Sequence, residues 1–194
     1  MKSLPAASTA FLAVVLIAAD CRAELYAEPA PSPDARRLLD EWTGRNIPFS
    51  SVFYDGGDMA VAVAPGLVDG TRPLPRDMGA YVDGLRNNGR EIRSVFLNNE
   101  TWMVVADRNL MHWQGREPPR DMIDYIRGAV DAGATVRSVC FFGPVWIVAT
   151  DRGIRKSGPT PPGLDAFLGR LQGDRRPMRS ISLAPNGRWV VVFD

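Results

Sequence analysis

The chain has 194 residues, with 23 Lys and Arg against 22 Asp and Glu, one histidine and two cysteines. So even a charge balance argues against nucleic acid or an anionic membrane surface as the main partner, because both select for clustered positive charge. Only one cysteine lies beyond the N-terminal leader, which excludes a disulfide-stapled scaffold, so the core must hold the fold.

The leader comes first. Lys2 gives a short positive start, and the run from Ala6 to Ala19 is apolar apart from Ser8 and Thr9, centred on Phe11, Leu12, Val14, Val15, Leu16 and Ile17. Cys21-Arg22-Ala23 then fits the small-x-small rule for signal peptidase. Residues 1–23 therefore read as a signal peptide. The remainder, 24–194, reads as a single secreted or periplasmic domain. The apolar run is shorter than the roughly 20 residues a membrane-spanning helix needs, so no span is expected after cleavage. A lipoprotein anchored through Cys21 is the alternative. Asp20, placed where a small residue is wanted, counts against it. Cleavage would remove Lys2, Arg22 and Asp20 and leave the charges even.

Four units follow. In the first (33–74), Pro33 precedes the stripe Ala35, Leu38, Leu39, Trp42, and Gly44 follows it. The tetrad Phe49-Ser50-Ser51-Val52, the turn Asp55-Gly56-Gly57 and a return run from Met59 to Ala64 complete the unit. The second (75–118) has Pro75, the stripe Met78, Tyr81, Val82, Leu85, then Gly89. Its tetrad is Ile92-Arg93-Ser94-Val95, its turn Asn98-Asn99-Glu100 and its return run Trp102 to Ala106. The third (119–161) repeats this with Pro119, Met122, Tyr125, Ile126, Ala129 and Gly133, then Val136-Arg137-Ser138-Val139, Gly143-Pro144 and Trp146 to Thr150. The fourth (162–194) has Pro162, Leu164, Phe167, Leu168, Leu171 and Gly173, then Met178-Arg179-Ser180-Ile181, Pro185-Asn186-Gly187 and Trp189 to Phe193.

Apolar residues at i, i+3, i+4 and i+7 predict an amphipathic helix in each unit. Proline ahead of the stripe and glycine behind it suit a helix start and a helix stop. The two β-type runs around a turn predict a hairpin. Each stripe begins 14 residues before its tetrad, while successive tetrads are 43, 44 and 42 residues apart, so the length variation falls mainly in the joining loops. The return runs are apolar on successive residues, which predicts strands covered on both faces. One unit alone cannot bury that surface, so the four must stack. The expected fold is α+β: four tandem helix–β-hairpin (αββ) repeats forming a closed ring or a curved stack, with helices covering the antiparallel hairpins.

These residues carry a resemblance. The pattern apolar-x-Ser-Val-x-Phe, a Gly-rich turn and Trp-Val-Val, preceded by an amphipathic helix, resembles uncharacterised helix–strand–strand repeats of secreted or multidomain bacterial proteins. It fits best from Ser180 to Val191, and the turns Asn98-Asn99-Glu100 and Gly143-Pro144 depart from it. The resemblance carries no catalytic or binding site over. The stretch from Ser180 to Val191 is also similar to a strand pair of periplasmic propeller blades, but the four helical stripes argue against that likeness.

Catalytic constellations are sparse. His112 lies in a predicted loop, Leu110 to Gly115, and reads as a surface or packing residue. Cys140, mid-strand between Val139 and Phe141, reads as a small buried hydrophobe. No metal-ligand spacing and no phosphate-binding Gly-rich loop is present, so neither metal nor cofactor is expected, and no catalytic residue is assigned. Asp107-Arg108 and Asp151-Arg152 recur after the second strand and read as turn or inter-unit hydrogen-bonding groups. Trp102, Trp146 and Trp189 share one strand position and read as packing.

Two features offer binding chemistry. Arg93, Arg137 and Arg179 recur at one position of the unit, which predicts guanidinium groups gathered on one rim, suited to a carboxylate, sulfate or phosphate; pairing with neighbouring acids is the alternative. Trp113, beside His112, is suited to stacking on a sugar or anchoring a partner, or else to packing back over its unit. The leading expectation is a non-catalytic extracytoplasmic repeat module binding a protein, peptide or glycan through loops on one face. A hydrolase using Asp55, Asp58, Asp107 or Asp151 in a central cleft is one alternative. A self-assembling envelope component is another.

Overall fold

A computed structural model describes residues 14–17, 24–28, 32–55, 59–98, 101–107, 109–184 and 186–194. The expected cleavage site, Cys21, Asp58 and Arg108 lie outside the described residues. Strands β1 (Val14–Ile17) and β2 (Glu24–Glu28) come first. Unit one follows with α1 (Pro33–Gly44), β3 (Ser51–Tyr54), β4 (Ala60–Ala64) and β5 (Leu67–Gly70). Unit two has α2 (Arg76–Asn87), β6 (Ile92–Leu97), β7 (Thr101–Ala106) and β8 (Leu110–Gly115). Unit three has α3 (Arg120–Asp131), β9 (Val136–Phe142), β10 (Val145–Thr150) and β11 (Gly153–Lys156). Unit four has α4 (Leu164–Gly173), β12 (Met178–Leu183) and β13 (Trp189–Phe193).

The α+β class and the four helices hold, but the hairpin expectation needs correction. The sheets β3-β4-β5, β6-β7-β8 and β9-β10-β11 each have three antiparallel strands. The third strand occupies the segment read as a joining loop. It escaped notice because it is an outer edge strand with one neighbour. All four residues of β11 are exposed, so burial imposes no alternation on it. The fourth sheet has the order β1-β2-β13-β12, and β2 takes the third place there, antiparallel to β13. Val14–Ile17, within the expected leader, pairs along the outer side of β2.

The helices end alike. Ile47, Arg90, Ala134 and Arg176 donate their backbone N–H to the carbonyls of Trp42, Leu85, Ala129 and Leu171, five residues back. Such a bond needs a left-handed residue just before the donor. Gly89 (φ 66°) and Gly133 (φ 80°) supply it in units two and three, whereas Asn46 (φ 53°) and Arg175 (φ 56°) do so in units one and four. The helices end at Gly44 and Gly173, but the left-handed residue expected at those glycines lies two positions further on in units one and four.

Each sheet is covered on both faces. In β4, Ala60, Ala62 and Ala64 lie in one cluster with Leu39 and Trp42 of α1, while Val61 and Val63 join Val95 and Phe96 of unit two. In β13, Trp189, Val191 and Phe193 cluster with Phe167 and Leu171 of α4, while Val190 and Val192 join Val52 and Tyr54 of unit one. Burying each of the larger side chains contributes about 1.5–3 kcal/mol. The first strands of the units pack pairwise: β3 on β6, β6 on β9, β9 on β12, and β12 on β3. The strand tryptophans are buried, as expected, each against the second residue of its helix stripe: Trp102 on Tyr81, Trp146 on Tyr125 and Trp189 on Phe167. Among the described residues no helix is long and apolar enough to cross a membrane.

Candidate functional site

The recurring arginines share a backbone irregularity. In unit two Ile92 pairs with Ala106 and Ser94 with Val105, so Arg93 is an extra residue without a partner on β7. Arg137 is extra between Val136 (opposite Thr150) and Ser138 (opposite Ala149). Arg179 is extra between Met178 (opposite Phe193) and Ser180 (opposite Val192). A bulge of this kind bends the strand and re-aims the side chain of the extra residue.

The three arginines come together. With Glu91 and Ser50 they line one opening of about 270 Å³, to which every unit contributes through Ser50, Arg93, Arg137 or Arg179. Ser50, which breaks the arginine series in the sequence, thus occupies the corresponding place. Arg137 Nη1 donates to the Met178 carbonyl at 2.5 Å. Arg179 Nη1 donates to the Phe49 carbonyl at 3.2 Å, and its Nε donates to Asp194 Oδ1 at 2.6 Å. Each of these two arginines therefore grips the first tetrad residue of another unit. Arg93 is different. Its Nη2 lies 3.9 Å from Glu91 Oε2, and its Nε is buried with no hydrogen-bond acceptor among the described residues. A buried donor left unpaired costs about 1–3 kcal/mol.

Asp107 and Asp151 close turns. Asp107 exchanges hydrogen bonds with the backbone of Glu91, accepting at Oδ1 (3.0 Å) and donating its own N–H (2.7 Å). Asp151 does the same with Thr135 (2.8 and 3.0 Å). The Glu91 N–H, and then Arg90, hold the Asp107 carboxyl below its ordinary range, and the Thr135 N–H does the same for Asp151. Glycosidic general acids require the opposite shift. Asp194 fills the same position in unit four, its N–H donating to the Pro177 carbonyl at 2.9 Å. Its carboxylate is turned to Arg179. Asp55 follows the far end of β3 and accepts from the Met59 N–H at 3.2 Å.

His112 and Trp113 lie on β8, not in a loop, and neighbours on a strand point to opposite faces. His112 stacks on Tyr81 at 4.3 Å between ring centroids and leans on Trp102 at 5.4 Å. Trp113 is half-buried against the core. The two do not converge on one ligand, and neither lines the arginine opening. Cys140 is buried, and burial pushes its thiol up to about 12, away from a reactive thiolate.

Sequence reasoning missed Ser50, Glu91 and Asp194 at the arginine site. The second place in each tetrad was the signal for Ser50, and the residue just before the tetrad was the signal for Glu91. Among the described residues no three His, Cys, Asp or Glu side chains stand together to hold a metal ion. Comparison with protein-family models, curated proteins and solved structures gives no match to this chain.

Proposed function

We propose that the chain, once residues 1–23 are removed, is an extracytoplasmic, non-catalytic repeat module whose four units close into a ring. One face of that ring binds a protein, peptide or glycan through an anionic group held by the arginines. The observation that carries this reading is the meeting of Arg93, Arg137 and Arg179 with Ser50 at a single opening, where Arg93 has only a long 3.9 Å approach to Glu91 among the described residues. Guanidinium groups present rigid, paired donors that match oxyanions. Closure is supported by the packing of β12 on β3, by the bond from Arg179 to Phe49, and by β2 filling the third place beside β13. Export is supported by the leader, and β2 begins at Glu24, the first residue after the expected cleavage.

Thermal unfolding in the presence of acetate, sulfate and phosphate tests the reading. A saturable rise in melting temperature with at least one of them, lost in Arg93→Gln, is expected. No rise with any of the three would remove the anionic subsite.

A further inference from the structure

A second concavity adjoins the arginine opening. A groove of about 1310 Å³ runs along unit two between α2 and the start of β8, and Glu91 and Arg93 line both it and the opening. Tyr81, Leu85 and Leu110 supply its apolar lining, Asn88 and Asn109 its amides, and Leu110 is 42% exposed. The concavity beside Tyr125 and Ala129 in unit three is smaller, about 370 Å³, and Arg137 does not line it. Of these two concavities, the unit-two groove is the one that shares an arginine with the opening, through Arg93.

We propose that the unit-two groove and the arginine opening form one site for the C-terminal end of a peptide, with the terminal carboxylate on Arg93 and the preceding side chain against Leu85 and Leu110. The proposal rests on the anion-binding reading above and specifies the ligand. Three observations select it. First, Arg93 lines both the groove and the opening, its side chain is 23% exposed, and its Nη2 has only a long 3.9 Å approach to Glu91, so the end of its guanidinium is the donor a carboxylate can reach. Second, the arginines already have acids near them, Glu91 by Arg93 and Asp194 by Arg179. A singly charged group suits that setting better than a dianionic phosphate. Third, the groove favours a peptide over a sugar. Sugars stack on open aromatic faces, but Tyr81 is already stacked by His112, whereas Leu85 and Leu110 offer aliphatic contact and Asn88 and Asn109 offer partners for a peptide backbone.

The test is fluorescence polarisation with a library of labelled hexapeptides, each made with a free C-terminal carboxylate and as the C-terminal amide. A glucuronate oligosaccharide and sodium sulfate serve as separate probes. Selected free-acid peptides should bind, with amidation and Arg93→Gln each weakening them at least about tenfold. Leu110→Asp, at an exposed position, should weaken binding without lowering the melting temperature. Equal binding of acid and amide forms would overturn the proposal. Sulfate stabilisation with no peptide bound would overturn it while leaving the anion site standing. Binding of the oligosaccharide in place of any peptide would replace it with a glycan. Silence from every probe would remove the anion site as well.

Discussion

Arg179 Nη1 donates to the carbonyl of Phe49 at 3.2 Å, tying the fourth unit to the first as Arg137 ties the third to the fourth through Met178. Two of the three arginines at the opening thus also join units, whereas Arg93 makes no such bond among the described residues. Structural and binding roles separate on that difference.

Stability should follow it. Arg137→Ala and Arg179→Ala remove charged donors from half-buried carbonyls, and each should cost about 1–2 kcal/mol. Arg93→Gln, which removes an unpaired buried donor, should cost less than either. Urea unfolding midpoints compare the three, and an Arg93→Gln loss as large as the others would contradict the assignment.

β2 should be integral to the fold. Leu25 is fully buried and stands opposite Val192 of β13. Leu25→Ala should destabilise by about 3 kcal/mol through the cavity it leaves. Hydrogen exchange at the β13 amides should quicken with it, and unchanged exchange would show that β2 is a dispensable tail.

Acid should loosen the unit closures. In the folded state Asp107 and Asp151 lie below their ordinary range, held by the N–H groups of Glu91 and Thr135. Their contribution is therefore complete above the unfolded value near pH 4 and is lost as the pH falls through the folded value. Asp107→Asn and Asp151→Asn should flatten the acid limb of the stability profile and lower stability at neutral pH. An acid limb identical to that of the parent would count against this role.

Trp146 should be the more demanding kind of core tryptophan. Its Nε1 donates to Asp121 Oδ2 at 2.9 Å while its ring stacks on Tyr125 at 5.7 Å. Trp146→Phe should cost about 1 kcal/mol from the lost bond, and Trp146→Ala about 3–5 kcal/mol. Calorimetry of both variants separates the two contributions, and equal losses would show that the hydrogen bond carries nothing.

Much of this was legible in the sequence, for a physical reason. Met78, Val82 and Leu85 recur with helical period because one helix face is buried, and Val95 and Val104 are apolar because their sheet is covered on both sides. Burial leaves a local pattern. Edge strands such as β11 leave none, and pairing between β2 and β13 joins segments too far apart for any window to register. The shared position of the arginines was readable. The bulge that aims them was not, because it is defined by the partner strand: Arg93 is extra only relative to Ala106 and Val105. His112 and Trp113 looked like a loop pair because β8 is a largely exposed edge strand with one neighbour, so burial writes no apolar run into it.

The central claim is that Arg93 holds an anion. The most direct measurement follows its side-chain Nε–H in ¹⁵N-resolved spectra, assigned by its loss in Arg93→Lys, during titration with acetate. A saturable shift of that resonance, larger than the shift at Arg179 with its Asp194 partner, is the expected result. An Arg93 resonance that stays fixed throughout the titration would contradict the account.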